Sequence, residues 1–163
     1  RLARARVMTT TTRAAALDDL GPLSTLDRAC FARAWTPVQW RSELLPSGQV
    51  RALVLIVHDD RGRPVAHACA SIVFERCELR RIGVIAELRG RGIGRDLIAR
   101  VIDHARISGC TVLELEVAST NLAALALYQR IGFHRVGVRP NYYLDPPADA
   151  LLMDLDLRGE SPF

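Results

Sequence analysis

The 163-residue chain contains no lysine; all 22 of its basic residues are arginine. This excludes every mechanism that needs a lysine amine, among them Schiff-base chemistry, the phosphate-binding lysine of a P-loop and a Ser-Lys dyad. Long apolar runs are also missing. The longest stretch without a charge, Val117 to Gln129, has 13 residues, whereas a spanning helix needs roughly 18. No membrane partner is expected. The four cysteines, Cys30, Cys69, Cys77 and Cys110, form no C-x-x-C pair, and the four histidines stand in neither H-x-x-x-H nor H-x-H spacing. No metal site is therefore assigned. The cysteines read as small core residues in a reducing compartment. A secretory signal is not expected, because Thr9 to Thr12 stand where an apolar segment should follow the basic residues 1–8, and the protein is read as cytoplasmic.

The formal net charge is +4, but its distribution argues against a nucleic-acid partner. Arg1, Arg4, Arg6 and Arg13 precede the first acid, and the rest of the chain balances 18 arginines with 18 acids. The excess belongs to a basic leader, residues 1–9, expected to be mobile. Residues 10–158 read as one domain and 159–163 as a tail, since the length suits a single domain. Apolar residues at 49% and charged residues at 25% are ordinary globular composition.

A first strand is expected at residues 10–17. Asp18 or Asp19 then caps a helix carrying Leu20, Leu23, Leu26 and Cys30. Thr36-Pro37-Val38-Gln39 has the form of a capping box with proline at the first helical position, opening a helix that ends before Pro46. Strands follow at 53–58, 64–74 and 78–85, the first two joined by the turn Asp59-Asp60-Arg61-Gly62. From Ile93 to Ala105 apolar residues recur at helical spacing, ending at Gly109. Strand 111–117, helix 121–131, and strands 133–138 and 150–157 complete the reading. The expected class is α/β in the α+β sense, a mixed and mostly antiparallel sheet with helices on both faces. The strands near 78–85 and 111–117 are expected to be parallel and adjacent.

Between strand and helix lies Arg89-Gly90-Arg91-Gly92-Ile93-Gly94-Arg95. Alternating glycines let the backbone turn tightly and aim several N–H groups one way at the start of a helix, which suits a phosphate or pyrophosphate. Taken alone, the loop is also readable as a tight turn with solvated arginines. It is not a P-loop, for want of lysine. It also departs from the dinucleotide fingerprint, which needs a glycine where Arg95 stands.

The stretch Arg89 to Gly94 resembles the acetyl-CoA pyrophosphate motif of the Gcn5-related N-acetyltransferase (GNAT) superfamily. Leu115-Glu116-Val117, Asn121, Ala124, Leu127-Tyr128 and Gly132-Phe133 match the pattern L-E-V-x-x-x-N-x-x-A-x-x-L-Y-x-x-x-G-F. Together with Asn141-Tyr142-Tyr143, this resembles the bacterial ribosomal-protein-alanine N-acetyltransferases. The resemblance covers roughly half the chain, residues 79–157. It implies the GNAT fold, acetyl-CoA as co-substrate and direct acetyl transfer to the N-terminal α-amine of a protein. In that group the acceptor is the N-terminal alanine of a small-subunit ribosomal protein.

The resemblance assigns Glu116 as base and Tyr128 as the acid that protonates the departing thiolate. It assigns Asn121, Ile82, Gly83 and Val84 to the pantetheine arm, and Arg89, Gly90, Arg91, Gly92, Ile93, Gly94 and Arg95 to the pyrophosphate. Trp35, Glu114, Tyr142 and Tyr143 are candidate acceptor-binding residues. Physically, Glu116 shares a strand face with Glu114, and partial desolvation there would raise its carboxyl toward neutrality; it is equally readable as a solvated strand end. Tyr128 is the polar group of an otherwise apolar helix. All four histidines read as structural or surface residues. The chain departs from the group at Ala34, Arg81, Ala118 and Pro140, which leaves the acceptor open. A small amine, a lysine side chain, or a catalytically silent acyl-CoA sensor are the alternatives. A monomer or weak dimer is expected.

Overall fold

In the computed structural model the described residues are 8–45 and 47–163. Most of the expected leader, residues 1–7, lies outside them. Among the described residues one seven-stranded sheet runs in the order β1-β2-β3-β4-β5-β7-β6. The strands are β1 Thr10–Ala14, β2 Arg51–Asp59, β3 Pro64–Val73, β4 Arg76–Val84, β5 Val112–Ala118, β6 His134–Leu144 and β7 Pro147–Asp156. The helices are α1 Leu20–Cys30, α2 Pro37–Leu44, α3 Ile93–Ile107 and α4 Leu122–Ile131. Only β4 and β5 pair in parallel; all other neighbours are antiparallel.

Strand β3 is buried almost throughout because helices cover both faces of the sheet. Ala66, Ala68, Ala70 and Ile72, with Leu55 and Val57, pack in one core with Leu97, Ile98, Val101 and Ile102 of α3. On the opposite face Val54, Ile56 and Cys69 meet Leu23 of α1 and Trp40 of α2. The apolar spacing of α3 thus covers one face. On the other, Thr36 accepts from the Gln39 N–H while the Gln39 side chain accepts from the Thr36 N–H, fixing the start of α2.

Two features open the cleft. Cys69 pairs with Arg81 and Ala70 with Leu79, so Arg80 is the extra residue of a bulge in β4. Both arginines reach the α1/α2 side, Arg80 to Glu43 and Arg81 to Asp27. Past this point β4 leaves β5: their ladder covers only Arg76–Leu79 against Val112–Leu115.

The structure differs from expectation in three places. Strand β1 ends at Ala14, because the chain turns into a 3-10 segment at Leu17–Asp19. Asp19 stands at the N-cap of α1 without capping it. Its carboxylate instead takes the Arg13 guanidinium, both bonds 2.7 Å, and the Ala16 N–H at 2.8 Å. The final hairpin is longer than its apolar pattern suggested, with the Asn141-Tyr142-Tyr143 segment inside β6. Register shifts between Arg139 and Tyr143, where Asn141 has φ 51 and its N–H bonds Asp149 at 2.8 Å. The exposed outer strand tolerates Pro140 there, because its N–H is not needed in the ladder.

Candidate active site

Beside the end of β4 that has left β5 lies a cavity of about 820 Å³, a size suited to a cofactor-sized ligand; Trp35, Glu114, Glu116, Tyr142 and Tyr143 are outside its lining. One wall is the glycine loop. Gly92, at φ 87, stands at the N-cap of α3 with no side chain capping the helix. The first-turn N–H groups therefore have neither an intrahelical partner nor a capping side chain, and the helix dipole points its positive end at the cavity. A Cβ on Gly90 or Gly92 would meet nothing within 4 Å, so the cradle is open space in the chain itself. Those features fit a pyrophosphate. Arg89, Gly90, Gly92, Ile93, Gly94 and Arg95 all line the cavity; Arg91 is exposed and outside the lining.

The second wall is β4 at Ile82, Gly83 and Val84. The Ile85 N–H is used on Val65 of β3 at 3.0 Å. Strand alternation therefore turns the N–H and C=O of Val84 toward the gap, where the carbonyl accepts from Arg89 Nε at 3.0 Å. Gly83 is required by a close approach. A Cβ there would sit 2.9 Å from Phe31 Cε2 and 3.0 Å from Cys30 Cβ and His67 Nε2. Cys30 and Phe31 also line the cavity, a contribution of α1 and the residue after it that no sequence motif marked.

A buried polar cluster seats that end of α1. Asp27 and His67 have side chains with no solvent exposure, and His67 Nε2 lies 3.0 Å from Asp27 Oδ1. The Arg81 guanidinium forks onto Asp27 at 3.0 and 2.9 Å, and the Trp35 N–H donates to it at 2.7 Å. Burial pushes the Asp27 carboxyl up, but these bonds prevail and hold it at about 2. Trp35 is fixed accordingly, 4.9 Å from the Trp40 ring, with Arg80 and Arg81 at 5.4 and 5.2 Å from its own.

The third wall is α4. The Asn121 side chain caps it, accepting from the Ala124 N–H at 3.2 Å, and also lines the cavity. Tyr128, one turn before the C-cap Gly132, is 6% exposed and packs 5.6 Å from the Phe133 ring. Its hydroxyl has no hydrogen-bond partner among the described residues. Burial, followed by the neighbouring Tyr143, pushes its pKa up to about 12. Tyr143 is in turn raised by burial and then by the Glu116 carboxylate. Tyr143 therefore lies within electrostatic reach of Tyr128 on one side and of Glu116 on the other.

Glu116 is partly withdrawn from solvent. Its side chain is 27% exposed, and Arg139 of β6 pairs with it at 3.1 Å. The reason is sheet geometry: Glu116 faces the β6 side through the intervening β7, over which an arginine can reach. Glu114, on the same face, is engaged by Arg76. Tyr142 is half-exposed, stacked edge-on against Tyr143 at 5.2 Å. Among the described residues no group of three His, Cys, Asp or Glu side chains could hold a metal ion, and no helix is long and apolar enough to cross a membrane.

Comparison with known proteins bears on what this cleft does. The Acetyltransferase (GNAT) family pattern matches residues 21–133. The [ribosomal protein bS18]-alanine N-acetyltransferase of Escherichia coli K12 is 32% identical over 120 residues, covering 72% of this chain and 81% of that protein. The N-alpha-acetyltransferase RimI of Mycobacterium tuberculosis H37Rv is 48% identical over 79 residues, 48% of each chain. A crystal structure of the ribosomal-protein-S18-alanine N-acetyltransferase from Escherichia coli superposes with a TM-score of 0.83 at 28% identity, over 94% of this chain and 97% of that one.

Proposed function

The chain belongs to the GNAT family and is an acetyl-CoA-dependent N-acetyltransferase; on that premise we propose that its acceptor is the N-terminal α-amine of a protein. Within that class the acceptor is the N-terminal alanine of a small-subunit ribosomal protein. The observation that carries this reading is the match to the bS18-alanine enzyme over four-fifths of that relative's length.

Bound acetyl-CoA supplies a thioester whose acetyl group is passed to the amine. The N–H groups opening α3, with Arg89 and Arg95, hold the pyrophosphate, and the Val84 N–H faces the acyl end of the cleft. Glu116 Oε accepts the amine proton. A free α-amine has a pKa of about 7.7–8.0, so a carboxylate acting directly or through water is a sufficient base. Tyr128 Oη, still protonated at neutral pH, gives its proton to the departing sulfur. Trp35, Tyr142 and Tyr143 line the approach of an extended chain terminus, being rigid aromatics with polar edges.

The test is a mass-shift screen with acetyl-CoA. Peptides that differ only in their first residue are offered beside polyamines and aminoglycosides. An alanine-first peptide acetylated fastest supports the reading; preferential acetylation of a small amine overturns it.

A further inference from the structure

The carboxylate assigned to the acceptor amine pairs with a cation of its own chain. Arg139 Nη2 sits 3.1 Å from Glu116 Oε1. The contact is built by the sheet. Ala118, Ala150 and Arg139 form one cross-strand row over β5, β7 and β6, and Glu116 lies two residues from Ala118 on the same face. Ala150, small and buried, is the β7 residue of that row, with Leu152 next along the same face opposite Glu116. The guanidinium has a second resting place beside the first, because its carbon also lies 5.6 Å from the centroid of the Tyr142 ring. Directly after Arg139 the ladder breaks and the Asn141 N–H is tied to Asp149, which anchors the chain one residue before Tyr142. Arg139 itself is half-exposed, with 53% of its side chain open to solvent, so it is free to leave.

We propose that Arg139 is a gate on the acceptor subsite, a resident cation that an incoming ammonium displaces from Glu116. The inference rests on the assignment of Glu116 to the amine and deepens it. A protonated α-amine and a guanidinium compete for one carboxylate; an uncharged or weakly held amine does not dislodge the arginine. The displaced guanidinium moves onto the face of Tyr142, where the ring quadrupole receives it. Arg139 is thus a positioning and selecting residue, and it does not touch the acetyl group.

The experiment compares Arg139→Met, Arg139→Lys, Glu116→Gln and the Glu116→Gln/Arg139→Met double variant by steady-state kinetics with acetyl-CoA and an alanine-first peptide. Methionine keeps an apolar stem of similar reach without the charge. In Arg139→Met the peptide KM falls roughly two- to fivefold, the size carried by a half-exposed ion pair, while the acetyl-CoA KM is unchanged. Arg139→Lys retains the wild-type peptide KM. In the Glu116→Gln background the methionine substitution no longer changes the peptide KM, because the competition has no object. An unchanged or raised KM in Arg139→Met overturns the gate, as does an effect that persists with Gln at position 116. If Glu116→Gln alone turns over like the wild type, the assignment of Glu116 to the amine fails instead, and the two failures are told apart.

Discussion

Burial of the Tyr128 ring fixes the state of its hydroxyl before any substrate arrives. A phenol raised to about 12 keeps its proton through neutral and mildly alkaline pH, which is the state a general acid must start from. Tyr128→Phe removes that donor while conserving the ring packed on Phe133. It is expected to lower kcat roughly 10²–10⁴-fold with little change in CoA affinity; rates and CoA calorimetry on the folded variant check this, and near-wild-type turnover would remove Tyr128 as the acid. Tyr128, Asn121 and Glu116 were legible in the sequence because strand, cap and helix follow one another within 13 residues as one motif. The long-range contacts were not. Arg81 reaches Asp27 across 54 positions, and Arg139 reaches Glu116 over an intervening strand. No local spacing marks contacts made only when the sheet closes.

At the scale of the element, β4 and α3 place the two halves of the cofactor cradle, and a glycine in or beside each tests how. Gly83 lets the end of α1 press on the strand. Gly83→Ala puts a methyl 2.9 Å from the Phe31 ring and 3.0 Å from Cys30 and His67, and overpacking of this kind costs about 1–3 kcal/mol, measurable as a lower urea midpoint. Gly92 poses the opposite case. Its Cβ would meet no chain atom within 4 Å, but its φ is 87, so Gly92→Val carries a left-handed strain of about 1–2 kcal/mol. It also projects an isopropyl group into the space left for phosphate. Calorimetry is expected to show weaker CoA binding in the folded variant, and unchanged affinity would contradict the cradle. The helices and the parallel β4–β5 pair were legible from periodicity and caps. The full length of the β6–β7 hairpin was not, because β6 is exposed along most of its length and carries little apolar alternation.

For the whole molecule, the polar cluster under the cleft links stability to pH. The Asp27 carboxyl falls from 3.8 unfolded to about 2 folded. A depressed acid contributes stability that is present above the unfolded value and is lost as pH drops through the folded one. The expected loss is about 2 kcal/mol between pH 4 and pH 2, since a tenfold change in proton affinity is worth roughly 1.4 kcal/mol. Asp19, also held at about 2 by Arg13, adds to it in the same window. Acid titration of urea stability checks this, with Asp27→Asn expected to flatten the curve. The same cluster holds Trp35 and the α1 end that lines the cavity, so fold stability and one cavity wall share one set of bonds. The central claim is about where the acetyl group goes. The most direct measurement offers the enzyme acetyl-CoA and an alanine-first peptide that carries one internal lysine, then locates the added acetyl group by fragment-ion mass spectrometry. The account predicts a single acetyl on the α-nitrogen of the first residue; acetylation confined to the lysine side chain would contradict it.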